Sequence, residues 1–410
     1  MIRKRTVSTA GLGVGLLTAL AGLAAFVPIQ ASADDPIQVG APIPLTGPLA
    51  SDGEVMRQGI RLAVQDLNEQ GGLLGRELEI TEYDIGDLTP DKLQSAASNL
   101  IERRNVDVLI NGYGAMGPDI PAFCPYDQPY IHNAATPNVT DMMERMNCSN
   151  IFMATDLGGA FGRIAFDQML EMGHDFDNNR IVILHGPYDW ELDKAEGIAF
   201  SAREAGWDVA MTEEVSYGTS EWGGILSRIR GHDPALVVIE LLDPDAVWRF
   251  VSQLRDDPPA NALVYTGYTG SMPAFGEFAS GGDADGVLGM TLSAHDPDSQ
   301  EGQAFMESWR EAYGEDPPYS IAAQIYDHVM IWANAVEEVG DVRDFDAINR
   351  TIHESEYEGL TGSFAFNEYR YVYAGSDLPP YLLQIQDSEV RMLMRNAEQL
   401  RDAVGSSWLD

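Results

Sequence analysis

Three short runs in this chain place small, hydroxyl-bearing or acidic residues where an apolar segment gives way to a polar one. The first, Gly112-Tyr113-Gly114-Ala115-Met116-Gly117, follows the apolar run Val106–Ile110 and fits the spacing G-x-G-x-x-G. That spacing can bind a dinucleotide when a helix follows and an acid closes the next strand about 20 positions on. Here Pro118 follows at once and no such acid is present. The run reads better as a loop whose bare glycines let backbone N–H groups approach a ligand carboxylate or carbonyl, or as a tight turn alone. The second run is Ile131-His132-Asn133-Ala134-Ala135-Thr136-Pro137. Small residues permit close approach and a hydroxyl both donates and accepts; the same Thr136 is also placed to cap a following helix. The third, Ile239-Glu240-Leu241-Leu242-Asp243-Pro244, puts a carboxylate at a strand's carboxyl end, which in open α/β sheets faces a crevice. In so acidic a chain a solvated acid is the plainer alternative. The seven histidines show no H-E-x-x-H or other paired metal spacing, no G-x-S-x-G elbow occurs, and carboxylates are too common for a pair to stand out. No catalytic residue, metal ligand or cofactor is expected.

The elements that must position these runs alternate along the chain. Apolar runs Ile37–Ile43, Leu78–Tyr83, Val106–Ile110, Arg180–Leu184, Leu236–Ile239 and Ala262–Tyr265 predict buried parallel strands. Periodic segments Val55–Leu67, Lys92–Glu102, Phe161–Met172, Leu192–Ala205 and Ala246–Arg255 predict helices between them. Such alternation predicts an α/β protein with doubly wound parallel sheets. It occurs twice, over about 36–156 and about 157–289. Helices near Gln300–Tyr313, Ile321–Val339 and Phe345–His353 come next, then short strands around Gly362–Phe366 and Tyr381–Gln386.

One segment is more specific. Ile37-Gln-Val-Gly-Ala-Pro-Ile-Pro-Leu-Thr-Gly-Pro-Leu-Ala-Ser-Asp52-Gly53 is followed by a helix-like stretch, Gly71-Gly72 and the strand-like Leu78–Asp84. This order resembles the opening βαβ unit of type I periplasmic solute-binding proteins, the leucine/isoleucine/valine-binding family of ABC transporters. The resemblance implies two lobes joined by a multi-segment hinge: 34–156 with about 290–368, and 157–289 with about 369–410. It implies a monomer that closes on a small polar ligand and docks on permease subunits, or a sensor built on the same module. It also implies that the Ala134-Ala135-Thr136 segment holds a ligand carboxylate, with the loop Tyr113–Met116 as a further contact from the first lobe. In that family an aromatic stacks over the ligand close to where Trp190 stands. A departure is equally visible. Amino-acid-specific members carry a hydroxyl in the first glycine loop and a glutamate near the position of Tyr268. Glu240 or Asp52 would have to replace that glutamate for an amine ligand, or Tyr113, Trp190 and Tyr268 would form an aromatic face for an alkylated ammonium. The ligand is thereby left open among an amino acid, an amide or urea-like compound, and an amine.

Composition fits export. Met1-Ile-Arg-Lys-Arg5, an apolar stretch to Val27 and Ala31-Ser32-Ala33 predict a cleavable leader over residues 1–33 and a periplasmic mature chain. The leader holds three of the 25 basic residues and no acid, so 22 basic residues face 64 acidic ones beyond it. A surface this acidic repels nucleic acid and anionic lipid. Cys124 and Cys148 are the only cysteines and, in an oxidising compartment, are expected to form one structural disulfide.

Overall fold

The structure, a computed structural model, describes residues 35–113, 117–259, 261–281, 284–292, 294–372, 378 and 380–394. The leader expected over 1–33 and the loop residues Gly114, Ala115 and Met116 lie outside the described residues. The first half runs β1 (Ile37–Ile43), α1 (Ala50–Glu69), β2 (Leu78–Asp84), α2 (Pro90–Ala97), β3 (Val108–Ile110), α3 (Asp119–Phe123), β4 (Tyr130–His132), α4 (Pro137–Met146) and β5 (Ile151–Met153). The second runs α5 (Gly158–Glu171), β6 (Arg180–His185), α6 (Asp189–Glu204), β7 (Asp208–Glu214), α7 (Gly223–His232), β8 (Leu236–Glu240), α8 (Pro244–Arg255), β9 (Leu263–Tyr265), α9 (Pro273–Ala279) and β10 (Leu288–Thr291). The tail adds α10 (Gln300–Tyr313), α11 (Ala322–Val339), α12 (Phe345–Glu354), β11 (Glu356–Glu358), β12 (Ser363–Ala365), β13 (Tyr381–Gln386) and β14 (Glu389–Met394).

Two large sheets result. The first is entirely parallel, in the order β2-β1-β3-β4-β5. The second is ordered β14-β13-β10-β9-β8-β6-β7, parallel from β10 to β7, with the tail strands β13 and β14 antiparallel at one edge. Each is the core of an α/β lobe, as the alternating pattern predicts. The apolar runs behave as strands covered on both faces: all five residues of β8 are buried, as are Ile37, Val39, Ala41 and Ile43 of β1. Helix α11 packs along α1 of the first lobe, and the Tyr326 hydroxyl donates to Asp66 at 2.8 Å. The chain therefore returns to the first lobe after β10 and ends, among the described residues, in the second sheet.

Some elements were not read from sequence. Strand β7, Asp-Val-Ala-Met-Thr-Glu-Glu, is a half-exposed edge strand and has no apolar run to betray it. The helix expected over Lys92–Glu102 is α-helical only to Ala97 and continues as a π-helical turn over Ser98–Arg103. Cys124 and Cys148 are joined, with sulfurs 2.00 Å and Cα atoms 5.4 Å apart, tying the end of α3 to the segment before β5. No described helix is long and apolar enough to cross a membrane.

Candidate functional site

The residues singled out at strand ends converge because both parallel sheets present their carboxyl ends to one region, where open α/β sheets hold ligands. Asp52 comes from the first turn of α1, just after β1. It can sit there because Gly53 brings the helix against the preceding segment: a Cβ at Gly53 would lie 1.7 Å from the Pro44 carbonyl oxygen. Tyr113 follows β3, Trp190 opens α6 after β6, Glu240 ends β8, and Tyr268 lies in the 3-10 turn Gly267–Ser271 after β9. All five are at least nine-tenths buried.

Asp52 binds the two lobes together. Its Oδ2 accepts hydrogen bonds from the Tyr113 hydroxyl of the first lobe and, at 2.6 Å, from the Tyr268 hydroxyl of the second. Its Oδ1 is buried without a hydrogen-bond partner, and no described cation pairs with it. Burial pushes its carboxyl up to about 6, partly offset by the two phenols. Ser320 lies near enough to favour the anion, although its hydroxyl closes no hydrogen bond of normal geometry. Burial also drives both phenols well above the usual tyrosine value, and the Asp52 charge adds to this, so they remain donors.

The aromatics form a row. Tyr113 meets Tyr268 edge-to-face at 6.3 Å, and Tyr268 meets Trp190 edge-to-face at 6.0 Å. Beyond Trp190 stands a group that sequence reasoning missed, Lys194. Its ammonium lies 4.6 Å from the Trp190 ring centroid and 2.8 Å from Glu240 Oε2, with lysine and glutamate both buried. Burial pulls the lysine down and the glutamate up, each opposed by the other's charge. The signal was present: Lys194 is four residues after Trp190, hence on the same helix face. Glu240 is therefore already engaged by a lysine. Gly267, with φ +59°, makes room for it, since a Cβ there would fall 2.1 Å from Glu240 Oε2. Glu191 was missed too. Its carboxylate accepts from the backbone N–H of Tyr188 (3.0 Å) and Leu242 (2.5 Å) and from the Tyr217 hydroxyl (2.8 Å), fixing the start of α6 beside the end of β8. Burial raises it to about 7.

The Ala134-Ala135-Thr136 segment is buried after β4, with its polar groups largely committed. The Ala134 N–H donates to His132 Nδ1 at 3.1 Å, and the Ala135 carbonyl accepts from the Gly158 N–H at 3.1 Å. Thr136 caps α4, its Oγ1 accepting from the Val139 N–H at 3.3 Å, which leaves the hydroxyl proton as a donor.

Paired parallel-sheet lobes, whose strand ends meet at a buried aromatic and acidic cluster, are the architecture of a two-lobed binding protein. The chain belongs to the periplasmic binding protein family, whose profile matches residues 36–371. It is 23% identical over 355 residues, 85% of this chain and 90% of the other, to the leucine-, isoleucine-, valine-, threonine- and alanine-binding protein of Pseudomonas aeruginosa. The solved structure of a candidate branched-chain amino acid ABC transporter protein from Silicibacter pomeroyi superposes with a TM-score of 0.80 at 25% identity, covering 91% of this chain and all of that one. An ABC transporter solute-binding protein from R. palustris in complex with benzoate superposes with a TM-score of 0.71 at 22% identity, covering 87% and 95%.

Proposed function

We propose that this chain is the solute-binding component of an ABC importer. It would be exported by removal of residues 1–33, work as a monomer in the periplasm, and take up an amino-acid-like ligand between its lobes for delivery to permease subunits. The family and the relatives named above support the class. The observation that carries the ligand reading is Asp52. It is a buried carboxylate at the junction of the lobes, with one oxygen unpartnered and, among the described residues, no cation paired with it. Burying an anion without a countercharge is costly, and a ligand ammonium supplies that countercharge. Thr136 and the Tyr113–Gly117 loop would hold the ligand's carboxylate, while Trp190 and Tyr268 would cover it from the second lobe.

Closure is a population shift, so the ligand must prefer the form in which both lobes touch it. The lobes are taken as 34–156 with about 290–368, and 157–289 with about 369–410. The packing of α11 on α1 and of β13 on β10 supports that division. The test is a thermal-shift screen of the purified protein against amino acids and simple amines, with titration calorimetry of each hit on wild type and Asp52→Asn. Hits that carry an ammonium and lose affinity in the variant support the reading. Hits that bind both proteins equally reject it.

A further inference from the structure

Of the three lysines in the whole sequence, one is entirely buried beside the site. Burial of a lysine–glutamate pair is a poor way to gain stability. The desolvation of both ions rivals their attraction, and apolar replacements of similar volume are often as stable or more so. The Lys194–Glu240 pair is also incompletely satisfied. Among the described residues the one polar partner of Lys194 Nζ is Glu240 Oε2, its other neighbour being the Trp190 ring, so it keeps N–H donors without an acceptor. Glu240 Oε1 has no hydrogen-bond partner, and neither has the Tyr265 hydroxyl, whose ionisation the Glu240 charge opposes. Leaving buried polar atoms unpaired is costly. Lys194 lies over the Trp190 ring, and Trp190 meets Tyr268, whose hydroxyl reaches Asp52, so the aromatic row links the pair to Asp52.

We infer that Lys194 and Glu240 form a specificity-determining subsite for a carboxamide or urea group at the far end of the ligand. This rests on the reading of Asp52 as the ammonium partner. The pair is neutral overall and presents N–H donors beside a carboxylate acceptor. A ligand carboxylate gains from Lys194 but is repelled by Glu240, and a second ammonium meets the reverse. An apolar end leaves every one of these atoms unpaired. A carboxamide satisfies both, its carbonyl oxygen accepting from Lys194 and its NH2 donating to Glu240 Oε1. A branched-chain side chain, as borne by ligands of the Pseudomonas relative, offers neither group.

Titration calorimetry with L-glutamine, L-glutamate and L-methionine tests this, since the three share one amino-acid head and differ at the far end. Wild type is expected to bind glutamine at least about 100-fold more tightly than methionine, because a site built to hydrogen-bond a polar group strongly rejects an analogue without it. In Lys194→Met/Glu240→Leu, which leaves neither donor nor acceptor in the subsite, that preference should vanish without loss of thermal stability. Methionine bound as tightly as glutamine by wild type, and lost in Asp52→Asn, overturns the subsite and leaves the Asp52 reading standing. Binding of none of the three overturns the subsite, and the amine screen above then decides the Asp52 reading separately. The wild-type comparison is decisive even where the double variant fails to fold. A folded double variant that still prefers glutamine also overturns the subsite.

Discussion

Asp52, in the first turn of α1, and Glu240, at the end of β8 in the second lobe, are both fully buried, yet their surroundings differ. Glu240 has a lysine at 2.8 Å, so its charge is cancelled within its own lobe. Asp52 has two phenols, one from each lobe, and no cation. Phenols donate hydrogen bonds to an anion but leave its net charge in place. The second lobe therefore contributes a neutral dipolar patch, and the first an uncompensated negative charge that a ligand can neutralise. Two buried carboxylates thus have different uses, decided by whether a lysine of a neighbouring helix stands beside them.

The contrast can be broken at either end. Lys194→Met alone should cause the largest change, about 3–5 kcal/mol of lost stability in urea unfolding, because it strands the Glu240 charge in the interior. Adding Glu240→Gln should recover most of that loss; no recovery would mean that the pair is not the source of the cost. Asp52→Asn removes the other charge. It should lower affinity for an ammonium ligand by about 2–5 kcal/mol in calorimetry while leaving the unfolding midpoint at or above that of wild type.

The pH response sharpens the comparison. The Asp52 carboxyl rises from 3.8 to about 6 on burial. Its contribution to folding is therefore complete below about pH 3.8 and is lost as pH climbs through 6, a change of about 3 kcal/mol. Glu191 and Asp327, both raised to about 7, add to the same trend, so the informative quantity is the difference between wild type and Asp52→Asn. Melts from pH 4 to 7 should show wild type losing stability relative to the variant. Ligand affinity should move the other way, strengthening as Asp52 ionises across pH 6. Tyr268→Phe should have the smallest effect, removing one hydrogen bond to a carboxylate, about 1.5–3 kcal/mol before solvent or the Tyr113 hydroxyl compensates. It should weaken ligand binding without altering the preference among end groups.

Much of the frame was legible in the chain. Parallel strands covered on both faces read as unbroken apolar runs, so Ile37–Ile43 was placed with its exact bounds, and Gln300–Tyr313 was recovered whole as a helix. The edge strand β7 and the π-helical end of α2 were not, because a half-exposed strand lacks an apolar run and a single π-turn leaves no periodicity of its own. The site was half legible. Position after a strand marked Thr136 and Glu240, the family resemblance marked Trp190 and Tyr268, and the structure draws Asp52, Tyr113, Trp190 and Tyr268 into one cluster. Pairing was illegible: that Glu240 answers Lys194 whereas Asp52 answers two tyrosines depends on contacts between distant segments.

The central claim is that a solute bridges the lobes through Asp52. Solution scattering of the purified protein, without ligand and saturated with L-glutamine, tests it most directly. A smaller radius of gyration in the saturated wild-type protein, and no contraction in Asp52→Asn, is the predicted result. Glutamine that binds by calorimetry and leaves the wild-type scattering profile unchanged would contradict the account.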